Sequence, residues 1–260
     1  MAAYPRGVPC WADALLPDVE AGKRFYGELF GWTFDEGAGP AHGHYVQAYK
    51  EGKAVAALAP KQDGRMPTVW NVYLATPDAP ATARAVKEAG GGLVMEPMPI
   101  GRFGTMALAT DPEGAVFGLW QGGTHEGFEL SGAPGAFCWT EVYVRDAGRA
   151  DTFYEEVFGF EGFDLGGVIK GFRTWSPAGT APGPDTSVGG RQLMGEGYPA
   201  MLPAHFLVYF AVGDCDEAAR TAARLGGRVQ SPPVDIPYGR IATLVDNQGA
   251  SFAVLQDLAE

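Results

Sequence analysis

Two short strings carry the side chains best placed to do chemistry: Cys10-Trp11-Ala12-Asp13 and Cys138-Trp139-Thr140-Glu141. In each, an acid follows a tryptophan by two places. Side chains alternate across a β-strand, so Asp13 shares a face with Trp11 and Glu141 with Trp139. A carboxylate beside an indole could accept hydrogen bonds from a ligand's hydroxyl or amine. The competing role is structural, a carboxylate satisfied by an arginine or a backbone amide. By the same alternation Asn71 and Tyr73 share a face, as do His205, Leu207 and Tyr209, and as do Val116, Gly118 and Trp120. Together these make an apolar, aromatic lining with a few polar anchors, the usual composition of a site for an organic molecule. Glu141 and His205 are the candidate catalytic pair, a carboxylate and an imidazole able to trade a proton.

The remaining reactive side chains are weaker candidates. His42 and His44 form an HGH alternation that could join Asp13 in a facial metal triad, but on an exposed hairpin such a pair more often does nothing. His125, in a Gly-rich stretch, is expected to face solvent. Cys10 and Cys138 fall on the opposite strand face from their tryptophans and read as small buried hydrophobes. No P-loop, dinucleotide fingerprint or GxSxG elbow is present.

The elements that must position these residues are repeated. CWADALLPDVEAGKRFYGELFGW (10–32) matches CWTEVYVRDAGRADTFYEEVFGF (138–160) at an offset of 128. VWNVYLATPDAPATARAVKEAGG (69–91) matches HFLVYFAVGDCDEAARTAARLGG (205–227) at 136, and TDPEGAVFGLWQ (110–121) matches VDNQGASFAVLQ (245–256) at 135. Register kept over so much of a chain indicates duplication, and repeats of this kind determine the fold. Each unit begins with a strand and turns at an Asp suited to cap a helix, Asp18 or Asp146. It then shows an apolar helical face, Phe25, Tyr26, Leu29 and Phe30, or Phe153, Tyr154, Val157 and Phe158. Gly31 and Gly159 stop those helices where a left-handed residue is wanted. Core packing is the ordinary role of the shared Phe and Tyr residues.

The predicted fold is therefore α+β: four βαβββ units in two tandem domains. The first domain covers 7–122, with units at about 8–60 and 67–122. A linker follows at 123–135, and the second domain covers 136–257, with units at about 136–194 and 203–257. A loose stretch at 176–190, dense in Pro and Gly, is expected as a surface loop.

Bulk properties narrow the partners. A chain of 260 residues with 46% hydrophobic and 19% charged residues is long enough for two cores. A net charge of −12 disfavours nucleic acid, which is held mainly by Lys and Arg on phosphates, and disfavours an anionic membrane surface. Three cysteines in no CxxC pair suit a reducing, cytoplasmic setting, and nothing resembles a signal peptide or a membrane span.

The FY pair on the helix, the FGW or FGF at its end and the final DPEG turn resemble the vicinal oxygen chelate superfamily of glyoxalase I, bleomycin-resistance proteins and extradiol dioxygenases. The strings FYGELFGW and DPEGAVFGLWQ are similar to an actinobacterial two-domain, "hydroxylase"-like subfamily. The resemblance implies cupped mixed sheets whose concave faces carry Trp11, Asp13, Asn71, Tyr73, Gly118, Trp120, Trp139, Glu141, His205 and Tyr209. It also implies a divalent metal bound by one residue of each unit's first strand and by carboxylates of the last strands, where it would act as a Lewis acid. Those positions here are Trp11, Asn71, Trp139, Leu207, Gly118 and Ala253, and none is a usual ligand. The expectation is metal-independent binding of a small aromatic or hydrophobic molecule, with no cofactor, in secondary metabolism or drug resistance. The alternative is a lyase or oxidoreductase of the glyoxalase or dioxygenase type, using a rearranged metal site or the Glu141/His205 pair. The two copies would make a monomer with an internal pseudo-dimer, or a homodimer.

Overall fold

In the computed structural model, which describes residues 4–39, 43–165 and 169–257, the chain folds as four βαβββ units. The first comprises β1 (Pro9–Leu16), α1 (Val19–Phe30), β2 (Thr33–Phe34), β3 (Val46–Lys50) and β4 (Lys53–Pro60). The second comprises β5 (Val69–Ala75), α2 (Ala79–Glu88), β6 (Gly92–Ile100), β7 (Gly104–Thr110) and β8 (Val116–Gly122). The third comprises β9 (Phe137–Val144), α3 (Ala147–Phe158), β10 (Glu161–Asp164), β11 (Phe172–Ser176) and β12 (Gly189–Leu193). The fourth comprises β13 (His205–Ala211), α4 (Cys215–Arg224), β14 (Arg228–Ile236), β15 (Gly239–Val245) and β16 (Ser251–Gln256). They form two cupped eight-stranded mixed sheets, ordered β2-β3-β4-β1-β5-β8-β7-β6 and β10-β11-β12-β9-β13-β16-β15-β14. The first strand of each unit pairs parallel with its last, Tyr73 opposite Gly118 and Glu141 opposite Gly190, while the hairpins between are antiparallel.

The helices start and stop where the sequence dictates. Asp18, Asp78, Asp146 and Asp214 each sit in extended backbone and accept from the amide three residues on, at 2.8–3.0 Å; such a cap is worth about 1 kcal/mol. Gly31 and Gly159 end α1 and α3 at φ 70° and 73°, where a side chain would be strained. No helix among the described residues is long and apolar enough to cross a membrane.

By compactness the chain divides into two units that cut across the tandem repeat. One contains Met1–Trp11, Val72–Gly127 and Thr140–Phe206; the other contains Ala12–Asn71, Phe128–Trp139 and Leu207–Glu260. Each unit combines a helix of one repeat with the last strands of the other. In the unit holding α1, the rings of Phe25, Tyr26, Phe30 and Trp32 pack with Trp70, Phe210 and Phe252 at centroid distances of 5.0–6.4 Å. The Tyr26 hydroxyl donates to Asp246 Oδ2 (2.8 Å) and accepts from Trp70 Nε1 (2.9 Å). Asp246 Oδ1 meanwhile accepts the amides of Gln248, Gly249 and Ala250, closing the turn before β16.

The unit holding α3 repeats this with different ends. Phe153, Tyr154 and Phe158 pack with Phe117, Trp175 and Phe206. Tyr154 donates to Asp111 Oδ2 at 3.2 Å, and Phe206 stands where the other unit has Trp70. Burial and the neighbouring aspartates push both tyrosine hydroxyls far above their usual range.

The Gly-rich stretch after β8 is hydrogen-bonded along its length. Within the first-named unit, Gly123 and His125 donate to Phe103 O. Within the other, Glu129 exchanges bonds with Ala54, and Gly135 O accepts from Trp32 Nε1 at 2.6 Å. The loose stretch at 176–190 closes on itself: a short 3-10 turn at Pro184–Thr186 bonds back through Thr186 and Ser187.

Candidate ligand-binding site

Equivalent strands of the two repeats carry their inner side chains in opposite states. Along β1 every residue but Leu15 is buried, whereas along β9 Trp139, Glu141 and Tyr143 are all half-exposed. The inner residues of β1 are covered by the protein's own side chains, and those of β9 are partly open.

The polar anchor of the first repeat is spoken for within its compact unit. Asp13, 3% exposed, accepts from Asn71 Nδ2 at 3.0 Å and from the Tyr45 hydroxyl at 3.1 Å. Asn71 is where the strand alternation put it. Tyr45, just ahead of β3, is a partner that sequence reasoning missed, because only the β3–β4 register brings it round to β1. Buried carboxylates are held in such networks, and each bond to a charged acceptor is worth more than a neutral one.

Trp11 and Trp120 lie in the other unit and are also covered. The His125 ring packs edge-on to Trp11 at 4.4 Å and against Trp120 at 5.7 Å, while the Trp120 indole donates to His125 O. The expectation that His125 faces solvent is wrong: the bonds to Phe103 fold its segment back onto the tryptophans. Gly118 does not leave the room that its missing side chain implied. The ring of Tyr73 lies so close that even a Cβ at Gly118 would collide with it.

In the second repeat, Glu141, Tyr143, His205 and Tyr198 fall within one compact unit. Tyr143 stacks on His205 with centroids 5.1 Å apart and rings 8° from parallel, and lies 5.9 Å from Tyr198. Burial lowers the His205 pKa below its usual value, against the opposing hydrogen bond between Nδ1 and Pro203 O. The fold therefore favours the neutral imidazole. Burial first, and the Glu141 charge second, raise the Tyr198 hydroxyl above its usual pKa. Tyr143, His205 and Tyr198 thus form one aromatic cluster, with two tyrosines that were not predicted, and Glu141 shares the strand face of Tyr143 within the same compact unit. Tyr143 follows Glu141 by two and could have been found by alternation; Tyr198 lies in a loop and could not. Trp139 is half-exposed on the same strand face as Glu141. Leu207 and Tyr209, in the other unit, are buried, Tyr209 opposite Ala253 in the β13–β16 register.

The thiols are poor nucleophiles. Cys10 donates to Tyr73 O, and burial raises its pKa far above that of a free thiol. Cys138 is pushed up to about 12 and Cys215 to about 11, again mainly by burial.

Comparison with known proteins bears on what this arrangement descends from. The model of the Glyoxalase/Bleomycin resistance protein/Dioxygenase superfamily matches twice, over residues 11–119 and 137–254. The chain belongs to this superfamily. The anthracycline biosynthesis protein DauV of Streptomyces sp. (strain C5) is 38% identical, over 98% of this chain and 95% of its own. CFP32 of Mycobacterium bovis, provisionally named a glyoxylase, is 39% identical over 97% and 96%. Among solved structures, a Mn(II)-bound glyoxalase from Novosphingobium aromaticivorans superposes with a TM-score of 0.64 at 15% identity, covering 99% of this chain and 84% of that one. The 2,3-dioxygenase LapB from Pseudomonas sp. KL28 gives 0.65 at 14%, covering 98% and 94%. At such identities the structures speak for the fold alone.

The superfamily's metal can be tested against the donors present. Trp11 and Trp139 offer an indole N–H, which donates and has no lone pair for an ion. Leu207 and Ala253 offer nothing, and the space at Gly118 is filled by Tyr73. Asp13 and Asn71 have oxygen donors, but both oxygens of Asp13 already accept hydrogen bonds. Among the described residues no three His, Cys, Asp or Glu side chains converge as an ion would need. These positions do not fit a divalent cation. Of the rearranged triad, His44 is exposed at φ 56° while Asp13 is buried, and His42 lies outside the described residues.

Proposed function

We propose that this chain binds a small aromatic or hydrophobic organic molecule without a metal, and that the second repeat supplies the contact through Glu141, Tyr143 and His205. The observation that carries this reading is the contrast between a shut β1 and a half-open β9. An open face of rings with one carboxylate offers stacking for an aromatic ligand and an acceptor for its hydroxyl or amine. The name of DauV makes an aromatic product of secondary metabolism the first ligand to try.

Calorimetric titration of an anthracycline into the protein, with a panel of other aromatic polyketides beside it, tests the proposal. Saturable one-site binding is expected, weakened about tenfold by Tyr143→Ala, which removes a stacking wall, and within about twofold of wild type for Trp120→Phe. A panel in which no member binds overturns the reading. So does a near-stoichiometric transition metal in protein purified without chelator.

A second reading, acid-base catalysis by Glu141 and His205, is supported by their lying in one compact unit and by the part-burial of the imidazole, which favours its neutral, proton-accepting form. Mass spectrometry of the titrated ligand after long incubation separates the two, since a binder returns its ligand unchanged.

A further inference from the structure

The segment between β12 and β13, residues 194–204, differs from its counterpart between β4 and β5, residues 61–68. Both leave their strand the same way: Lys61 N donates to Leu16 O, and Met194 N donates to Val144 O. The shorter segment is then held by itself, through Lys61 Nζ to Thr68 Oγ1 and an Arg65–Asp63 ion pair. The longer one is held from outside. Arg145 Nη2, just past the end of β9, donates to Pro199 O at 2.7 Å and to Leu202 O at 3.1 Å. The Arg145 backbone is fixed in turn, since Glu113 accepts the amides of Arg145 and Asp146 at 2.7 Å. At the position matching Arg145 the first repeat has Pro17, which has no side-chain donor.

This clasp folds the segment into two turns, Tyr198 N to Gly195 O and Leu202 N to Pro199 O. Met201 is left standing in solvent, while the half-buried Tyr198 ring comes to 5.9 Å from Tyr143. The same segment ends at Pro203, whose carbonyl meets His205 Nδ1 at 2.8 Å. The Tyr198 ring and the carbonyl that meets His205 Nδ1 thus both come from residues 194–204.

We infer that Tyr198 is a ligand-contacting wall of the second-repeat site and that Arg145 is the positioning residue that holds it there. The inference rests on the binding reading above and adds a specificity-setting element to it. A ring on a pinned loop costs little entropy to order when a ligand arrives, whereas the same ring on a free loop must be ordered each time. The clasp therefore shows in affinity although Arg145 touches no ligand.

Two measurements on the full chain test it. Hydrogen–deuterium exchange of the ligand-free protein is expected to show the amides of Tyr198 and Leu202 exchanging at least about tenfold faster in Arg145→Ala than in wild type, with the helices unchanged. Arg145→Lys, which keeps a cationic donor, is expected to restore most of the protection. In anthracycline titration, Tyr198→Ala and Arg145→Ala are each expected to weaken binding about tenfold, with Arg145→Lys close to wild type. Unchanged exchange in Arg145→Ala overturns the inference. So does wild-type affinity in Tyr198→Ala, or a loss in Arg145→Ala that Arg145→Lys does not rescue. If the wild-type protein itself binds no member of the panel, the binding reading is what has failed, and the exchange data still report on the clasp.

Discussion

Strands β1 and β9 hold matching places in the two repeats and have opposite fates. PCWADALL and FCWTEVYV begin their repeats at matching positions, each with a Cys, a Trp and an acid in the same order. The first has its acid bonded to Tyr45 and Asn71 and its tryptophan faced by His125. The second keeps Trp139, Glu141 and Tyr143 half in solvent. The difference comes from what the surrounding elements deliver rather than from the strands. One hairpin brings a tyrosine hydroxyl to Asp13, and a folded-back segment brings an imidazole to Trp11. After duplication the inner residues of one strand became core, and those of the other stayed partly exposed, the face proposed above to take a ligand.

The sharpest way to break that comparison is to truncate the two acids. Asp13→Ala removes the acceptor of two hydrogen bonds and leaves the Asn71 amide and the Tyr45 hydroxyl to be satisfied otherwise, at a cost of about 3 kcal/mol. Glu141→Ala, on a half-exposed face, is expected to change stability by no more than about 0.5 kcal/mol while weakening ligand binding. Urea unfolding of both variants decides it. Equal losses would mean that Glu141 is as structural as Asp13, and the site assignment would fall.

A smaller contrast lies behind the two faces, where the helix tyrosines meet the turns of the opposite repeat. Tyr26→Phe strands both the Trp70 N–H and Asp246 Oδ2, whereas Tyr154→Phe strands only Asp111 Oδ2, already the longer bond. The expected losses are about 2 kcal/mol and about 1 kcal/mol. Burial also raises the Asp111 pKa above the usual carboxylate value, more than the hydrogen bonds from Ala115, Glu113 and Tyr154 lower it. Its proton is therefore held more tightly in the folded chain, so the unmet oxygen in Tyr154→Phe can be protonated on mild acidification. The gap between the two variants is expected to widen as the pH is lowered from 7 towards 5, which denaturant midpoints at several pH values will show.

How much of this was legible follows from the range of each interaction. The caps Asp18 and Asp146, the stops Gly31 and Gly159 and the buried helix faces are local, set within four residues, and the sequence shows them. The repeat itself shows the fold, because two copies of one pattern constrain each other. Asn71 and Glu141 were readable from strand alternation, as Tyr143 would have been. Tyr45, His125 and Tyr198 were not, since each reaches its place through a loop whose path depends on hairpin register or on a distant clasp such as Arg145. Gly118 misled for the opposite reason: a missing side chain looks like space until the ring that fills it is known.

The smallest expected effect is a matter of protons. β13 opens with His205 where β5 opens with Val69, so only the second repeat has a titrating group at this place. Burial lowers the His205 pKa from its ordinary value near 6.5, which means the folded chain favours the neutral ring. The stability this contributes is present above that ordinary value and is lost as the pH falls through it towards the lower, folded-state value. Carboxylates titrate in the same range, so the quantity to measure is the difference between the wild-type protein and His205→Phe. In urea midpoints taken from pH 7.5 down to 5, the wild type should lose stability relative to the variant. Parallel curves would mean that the ring is as well solvated folded as unfolded. The stack on Tyr143 would then be a surface contact, and the second-repeat cluster would lose the partly desolvated imidazole proposed for it.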